Sequence, residues 1–359
     1  MVQADASFTA CFSSKPAIKD TAFTKSLPLK NMYKKFAFLI IGLLSCIFAS
    51  AQTTDTLSIT LENVSYPYSV KLLPLNIDGQ DVKMAYMDVL PSANANGRSV
   101  LLFHGKNFGG YYFTSVINAL RAKGFRVIVP DQIGFGRSSK PFIHYSFHQL
   151  ASNNKKLLDT LGINKIIVFG HSMGGMLATR FTLLYPQMVE KLILEDPIGL
   201  EDYRTFVPYI SAEKEYQKEL QTTPESVKKY YQNSYFPEWK PQYDYLVNIG
   251  AGVAQSADFP RYAKVAALTY EMIYEQPVCY EFGLIKAPTV LFIGRSDRTI
   301  VGKGFINDAE KAKHGQYQIL GKETAKKIPN CKLIEFDDVG HIPHIQIPTK
   351  FLTALLENI

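Results

Sequence analysis

Lys165-Ile166-Ile167-Val168-Phe169-Gly170-His171-Ser172-Met173-Gly174-Gly175 is the stretch on which the fold is read. Lys165–Phe169 is mostly apolar, with the length and composition of a strand buried on both faces. Met173–Tyr185 then has the make-up of a helix. A serine between the two, with glycine two residues before and two after, forms a nucleophile elbow. The chemistry explains the pattern. A serine hydroxyl is a weak nucleophile unless a base takes its proton and the backbone presents it openly. A sharp strand-to-helix turn presents it and crowds the residues on either side, where glycine relieves the contact. The pentapeptide alone is a weak signal, since a glycine-rich turn with an ordinary serine also produces it. Its place between strand and helix selects the functional reading.

The segments on either side keep the alternation. Tyr68–Leu75 and Val82–Val89 read as strands joined by Asp78-Gly79, a hairpin turn. Ser99–Phe103, Phe125–Pro130, Leu192–Leu194, Thr289–Ile293 and Leu333–Phe336 read as further strands. Helices are expected over Thr114–Lys123, stopped by Gly124, and from Ser146, with Gln149 in a capping-box position, to Leu161-Gly162. Asp308–Lys327 looks helical, and Phe351–Glu357 closes the chain as a helix. The pattern predicts an α/β protein with a mostly parallel sheet flanked by helices. Residues 197–285 break the rhythm. They hold twelve of the 21 tyrosines and the single tryptophan, Trp239, without a convincing buried strand. Ser211–Leu220 and Pro224–Asn233 look helical within them, so the interval is expected to be a mostly helical cap inserted before the penultimate strand. Residues 52–196 and 286–359 would then make the core.

The elbow, the strand order and three further stretches together resemble the α/β-hydrolase superfamily. Leu102-Phe103-His104-Gly105 is similar to the turn that carries half of the oxyanion hole. Pro130-Asp131-Gln132-Ile133-Gly134-Phe135-Gly136-Arg137-Ser138 resembles the loop after the fourth strand, and Val339-Gly340-His341-Ile342-Pro343 the turn bearing the catalytic histidine. The resemblance runs from Tyr68 to the C-terminus; the cap interval matches in position only. It implies Ser172 as nucleophile, His341 as general base, and the backbone N–H groups of Met173 and Lys106 as oxyanion donors. The loop reads Lys106-Asn107-Phe108-Gly109-Gly110 where many relatives carry a proline, so Asn107 stands beside Lys106 as the second donor. Asp196 and Asp297 both follow strands and both positions serve as the acid in the family. Gly294-Arg295-Ser296-Asp297 resembles the commoner turn and favours Asp297; Asp196 would anchor the start of the cap. His104, Asp131 and Arg137 are expected to brace loops, and His171 to pack or hydrogen-bond beside the nucleophile. The implied activity is hydrolysis of a small-molecule carboxylic ester through an acyl-serine. The same triad also serves carbon–carbon cleavage, peptide or amide hydrolysis and acyl transfer, and a hydrolase scaffold can be a binding protein.

Composition narrows the alternatives. The formal charge is +7, but residues 1–51 hold six lysines against two aspartates, leaving only +3 for the rest. No basic stripe with interleaved aromatics remains, so nucleic acid is not an expected partner. No phosphate-binding loop occurs, and no cofactor is implied. Lys34-Lys35, the apolar run Phe36–Phe48 and Ala49-Ser50-Ala51 have the order of a cleavable signal peptide, with Met32 the better start and cleavage after Ala51. The run is short for a membrane span, which needs ~20 residues. The expected location is therefore periplasmic or secreted. Beyond the signal only Cys279 and Cys331 remain, without metal spacing; His341-Ile342-Pro343-His344 is a lone H-x-x-H on a turn-like segment, not a metal site.

Overall fold

The computed structural model describes residues 56–92 and 94–359, so the signal-like segment and residues 1–31 lie outside the described residues. Among the described residues the first strands form a hairpin, β1 (Val70–Ile77) and β2 (Gln80–Val89). Asp78 and Gly79 both take positive φ, 51° and 74°, the geometry of a two-residue turn whose twist matches the strands. Then follow β3 (Ser99–Phe103), α1 (Thr114–Ala122), β4 (Arg126–Pro130), α2 (Phe147–Thr160), β5 (Ile166–His171), α3 (Met173–Leu184) and β6 (Val189–Glu195). Four helices separate β6 from the next strand: α4 (Ala212–Glu219), α5 (Pro224–Ser234), α6 (Asp244–Ala254) and α7 (Phe259–Glu275). The chain closes with β7 (Thr289–Gly294), α8 (Asp308–Lys313), α9 (Tyr317–Lys327), β8 (Cys331–Phe336), α10 (Pro343–Gln346) and α11 (Pro348–Asn358).

The eight strands form one sheet in the order β1-β2-β4-β3-β5-β6-β7-β8. Pairing is antiparallel from β1 to β4 and parallel from there to β8. Every residue of β5 and of β7 is buried, which is why these strands read as continuous apolar runs. Two apolar clusters cover the two faces: Phe103, Val168 and Leu194 belong to one, and Leu102, Phe169 and Ile193 to the other, as the period of two requires.

Three local expectations are corrected. Ser146 caps α2 by accepting from the Gln149 N–H, but the Gln149 side chain turns to Asn153, so the capping box is not reciprocal. Asp308–Lys327 is two helices rather than one. The break falls at His314-Gly315, where Glu201 accepts from the Gly315 N–H and meets His314 Nδ1. Most strands extend beyond their apolar runs, as β6 does to Val189 and Glu195. Cys279 and Cys331 are free thiols. Among the described residues no helix is long and apolar enough to cross a membrane.

Candidate active site

Ser172 sits at the junction of β5 and α3 with φ 55° and ψ −122°, a conformation that non-glycine residues rarely adopt. The turn is that tight because its neighbours are glycines. A Cβ on Gly170 would lie 2.2 Å from the Gly174 carbonyl oxygen, and one on Gly174 2.1 Å from that of Phe103. The serine Oγ therefore points out from the sheet's carboxyl edge toward the loop after β8. There His341 Nε2 stands 2.9 Å from Ser172 Oγ, and His341 Nδ1 stands 2.6 Å from Asp297 Oδ2. The other oxygen of Asp297 accepts from the Thr299 N–H at 2.8 Å, which fixes the carboxylate plane. His341 and Asp297 are both 1% exposed and Ser172 8%. The three side chains form one continuous line from a hydroxyl to a buried carboxylate.

Asp196 takes a different place from the one expected. It is fully buried with φ 37°, and its Oδ1 accepts from the Gly294 N–H at 2.9 Å, so it holds the end of β7 rather than the start of the β6–β7 connection. Oδ2 has no hydrogen-bond partner among the described residues. Burial first, and the Asp297 charge second, push its carboxyl well above the usual range.

The loop after β3 lies against the serine: a Cβ on Gly105 would be 3.1 Å from Ser172 Cβ. The Phe108 N–H donates to the Gly105 carbonyl at 3.2 Å, closing a turn around Lys106 and Asn107. The backbone N–H groups of Lys106, Asn107 and Met173 have no partner among the described residues and remain available as donors. His104 braces this loop, since its Nε2 accepts from the Gln132 N–H and its Nδ1 meets the Gly105 carbonyl. Asp131 accepts from the N–H groups of Gly110 and Arg137 and from the Tyr66 hydroxyl.

His171 hydrogen-bonds through both ring nitrogens, one of the two roles expected for it; the partners it joins were not legible in the sequence. The Gly105 N–H donates to Tyr112 Oη, which meets His171 Nδ1 at 2.8 Å; His171 Nε2 meets the His341 carbonyl at 2.8 Å. A carbonyl only accepts, so Nε2 carries the proton and Nδ1 accepts from the tyrosine. Burial, reinforced by His341 and His344, drives the His171 pKa well below its ordinary value, in keeping with that neutral form. One imidazole thus ties the elbow to the loops on both sides of it. A second missed pair is Glu195 with His344, both fully buried, at 2.8 Å. Its sequence traces were slight: an acid beside Asp196 at a strand end, and the second histidine of H-x-x-H.

Residues 98–348 match the family model of the alpha/beta hydrolase fold. A probable hydrolytic enzyme from Pseudomonas aeruginosa PAO1, known from a crystal structure, is 45% identical, covering 85% of this chain and 99% of that one with a TM-score of 0.84. Lipase 1 of Psychrobacter immobilis is 28% identical over 320 residues, 87% of this chain and 90% of that protein. An uncharacterised protein of Mycobacterium bovis is 38% identical over 105 residues, and the match spans 30% of its length.

Proposed function

The chain belongs to the α/β-hydrolase family, and on that premise we propose that it is a serine hydrolase acting on carboxylic esters through an acyl-Ser172 intermediate. The observation that carries the reading is the unbroken line Ser172 Oγ, His341 Nε2, His341 Nδ1, Asp297 Oδ2. Ser172 Oγ attacks the ester carbon while His341 Nε2 takes the hydroxyl proton, and Asp297 stabilises the imidazolium. The tetrahedral oxyanion is met by the N–H groups of Met173, at the start of a helix, and of Lys106. Collapse expels the alcohol, which receives the proton held by His341. Water then attacks the acyl-serine along the same path and releases the acid.

The ester class is supported by similarity to a lipase, and the helices of residues 197–285 serve as the cap that selects the substrate. The order of residues 34–51 supports export, tested by recovering Gln52 as the first residue of secreted protein. A fluorophosphonate is expected to label Ser172 in the wild type and not in Ser172→Ala, and p-nitrophenyl esters to be turned over faster than matched anilides. An unlabelled, folded wild type rejects the reading in favour of a binding protein; faster anilide turnover reassigns the bond.

A further inference from the structure

Three loops meet at the site, and one short run from the β6–β7 connection touches all of them. The Ser234 carbonyl accepts from Thr299 Oγ1 at 3.4 Å, and Thr299 is the residue whose N–H holds Asp297. The Tyr235 carbonyl accepts from the His341 N–H at 2.9 Å. The Tyr235 ring lies over the His341 imidazole, centroids 5.2 Å apart and planes within 17°. Its hydroxyl accepts from Asn107 Nδ2 at 2.9 Å, in the loop that carries Lys106. The Lys106 side chain is in turn paired with Glu219, at the end of α4, at 3.7 Å.

The fit is close. A Cβ on Gly340 would lie 2.4 Å from the Tyr235 carbonyl oxygen, so only glycine lets the histidine loop come this near. Tyr235 is 5% exposed and packs among Tyr231, Tyr230 and Phe108. The next residue, Phe236, stacks on Tyr243 at 3.9 Å and anchors the run in the apolar cluster. Burial raises the Tyr235 hydroxyl well above its ordinary pKa, so it remains a neutral acceptor for Asn107.

We propose that Tyr235 is a positioning residue for the reaction, holding the His341 ring in plane and the Asn107 loop at a fixed distance from it. The proposal rests on the serine-hydrolase reading above. Its physical basis is the tolerance of the chemistry. The imidazole must reach both Ser172 Oγ and the leaving oxygen, and displacements of ~1 Å in such sites lower rates by about 10²-fold. Backbone, ring face and hydroxyl of one residue remove three separate freedoms: where the histidine sits, how its ring tilts, and where the oxyanion donors stand. The β6–β7 connection is then part of the working site as well as a cover over it.

The test compares wild type, Tyr235→Phe, Tyr235→Leu, Asn107→Ala and the double variant Tyr235→Phe/Asn107→Ala in the full chain. Three quantities are read: the rate of Ser172 modification by diisopropyl fluorophosphate, kcat and KM on p-nitrophenyl butyrate, and Tm. Tyr235→Phe keeps the ring and the carbonyl and loses the Asn107 bond; modification rate and kcat are expected to fall ~3–10-fold, with KM within about twofold. Asn107→Ala should match it, and the double variant should be no worse than either single one. Tyr235→Leu should lower both rates ~30–100-fold. A folded Tyr235→Leu protein modified at the wild-type rate, with only Tm reduced, overturns the proposal and leaves the hydrolase reading intact. If Tyr235→Leu does not fold, an unaltered rate in Tyr235→Phe and Asn107→Ala overturns it equally. A wild type that resists modification overturns both readings together.

Discussion

His341 and His344 lie three residues apart, and each faces a buried carboxylate from the end of a neighbouring strand. His341 Nδ1 meets Asp297 Oδ2 at 2.6 Å, beyond β7; His344 Nδ1 meets Glu195 Oε2 at 2.8 Å, at the end of β6. The His344 N–H also donates to Glu195 Oε1 at 2.8 Å. What separates the pairs is the far nitrogen. His341 Nε2 meets the Ser172 hydroxyl, whereas His344 Nε2 is buried without a hydrogen-bond partner among the described residues, ringed by Tyr112, Phe113 and Phe351. A histidine becomes a base when its second nitrogen reaches a proton that must move. The Glu195–His344 pair instead pins α10, and with it the loop carrying His341, to the end of β6.

The comparison breaks most visibly at the serine. Ser172→Ala and His341→Ala should each lower turnover by ~10⁴–10⁶-fold with circular dichroism unchanged, and the double variant should be barely worse. Additive losses would show two independent groups rather than one relay. Asp297→Asn should follow at up to ~10⁴-fold, because an amide donor facing His341 Nδ1 enforces the wrong tautomer. The control is the other acid. Glu195→Ala should leave kcat of the folded protein within about tenfold of wild type. It should lower stability by ~3–5 kcal/mol, roughly 10 °C in Tm, since removing one partner strands the other in the interior. If Glu195→Ala costs as much turnover as Asp297→Asn, the division between a working pair and a structural one fails.

Why one pair was legible in the sequence and the other was not follows from distance along the chain. Ser172 announces itself because its requirements are local, met by Gly170 and Gly174 within two residues. Asp297 and His341 each sit in a short turn of recognisable composition, so each can be found separately before being brought together. Glu195 and His344 are 149 residues apart, and nothing beside either names the other. Tyr235 reaches Asn107 across 128 residues, and it was one tyrosine among twelve in its interval. The same limit explains the missed break between α8 and α9. Glu201, more than 110 residues upstream, takes the Gly315 N–H and ends a run whose local composition reads as one helix. Strands fared better because β5 and β7 are buried along their whole length, and burial writes itself into composition.

The smallest effect concerns Asp196, the acid next to Glu195 that the sequence offered as a rival to Asp297. Folding raises its carboxyl well above the aspartate range, through burial and then the Asp297 charge. The native protein therefore holds a proton there to higher pH than the unfolded chain, which releases it above about pH 4. For a group shifted in this direction, its contribution to stability is complete below the ordinary aspartate range. It declines as pH rises toward the folded value. Asp196→Asn substitutes a neutral group of the same shape and keeps an oxygen for the Gly294 N–H, so it should remove that decline. The Tm of the variant relative to wild type is expected to climb between pH 4 and pH 8. Turnover should stay within about tenfold, since Asp196 makes no hydrogen bond to His341. Thermal melts and ester kinetics on the two proteins across that range decide the matter. A Tm difference that stays flat or shrinks with pH would mean the carboxyl is already ionised in the native state. A folded Asp196→Asn enzyme less active than Asp297→Asn would reverse the assignment of the acid.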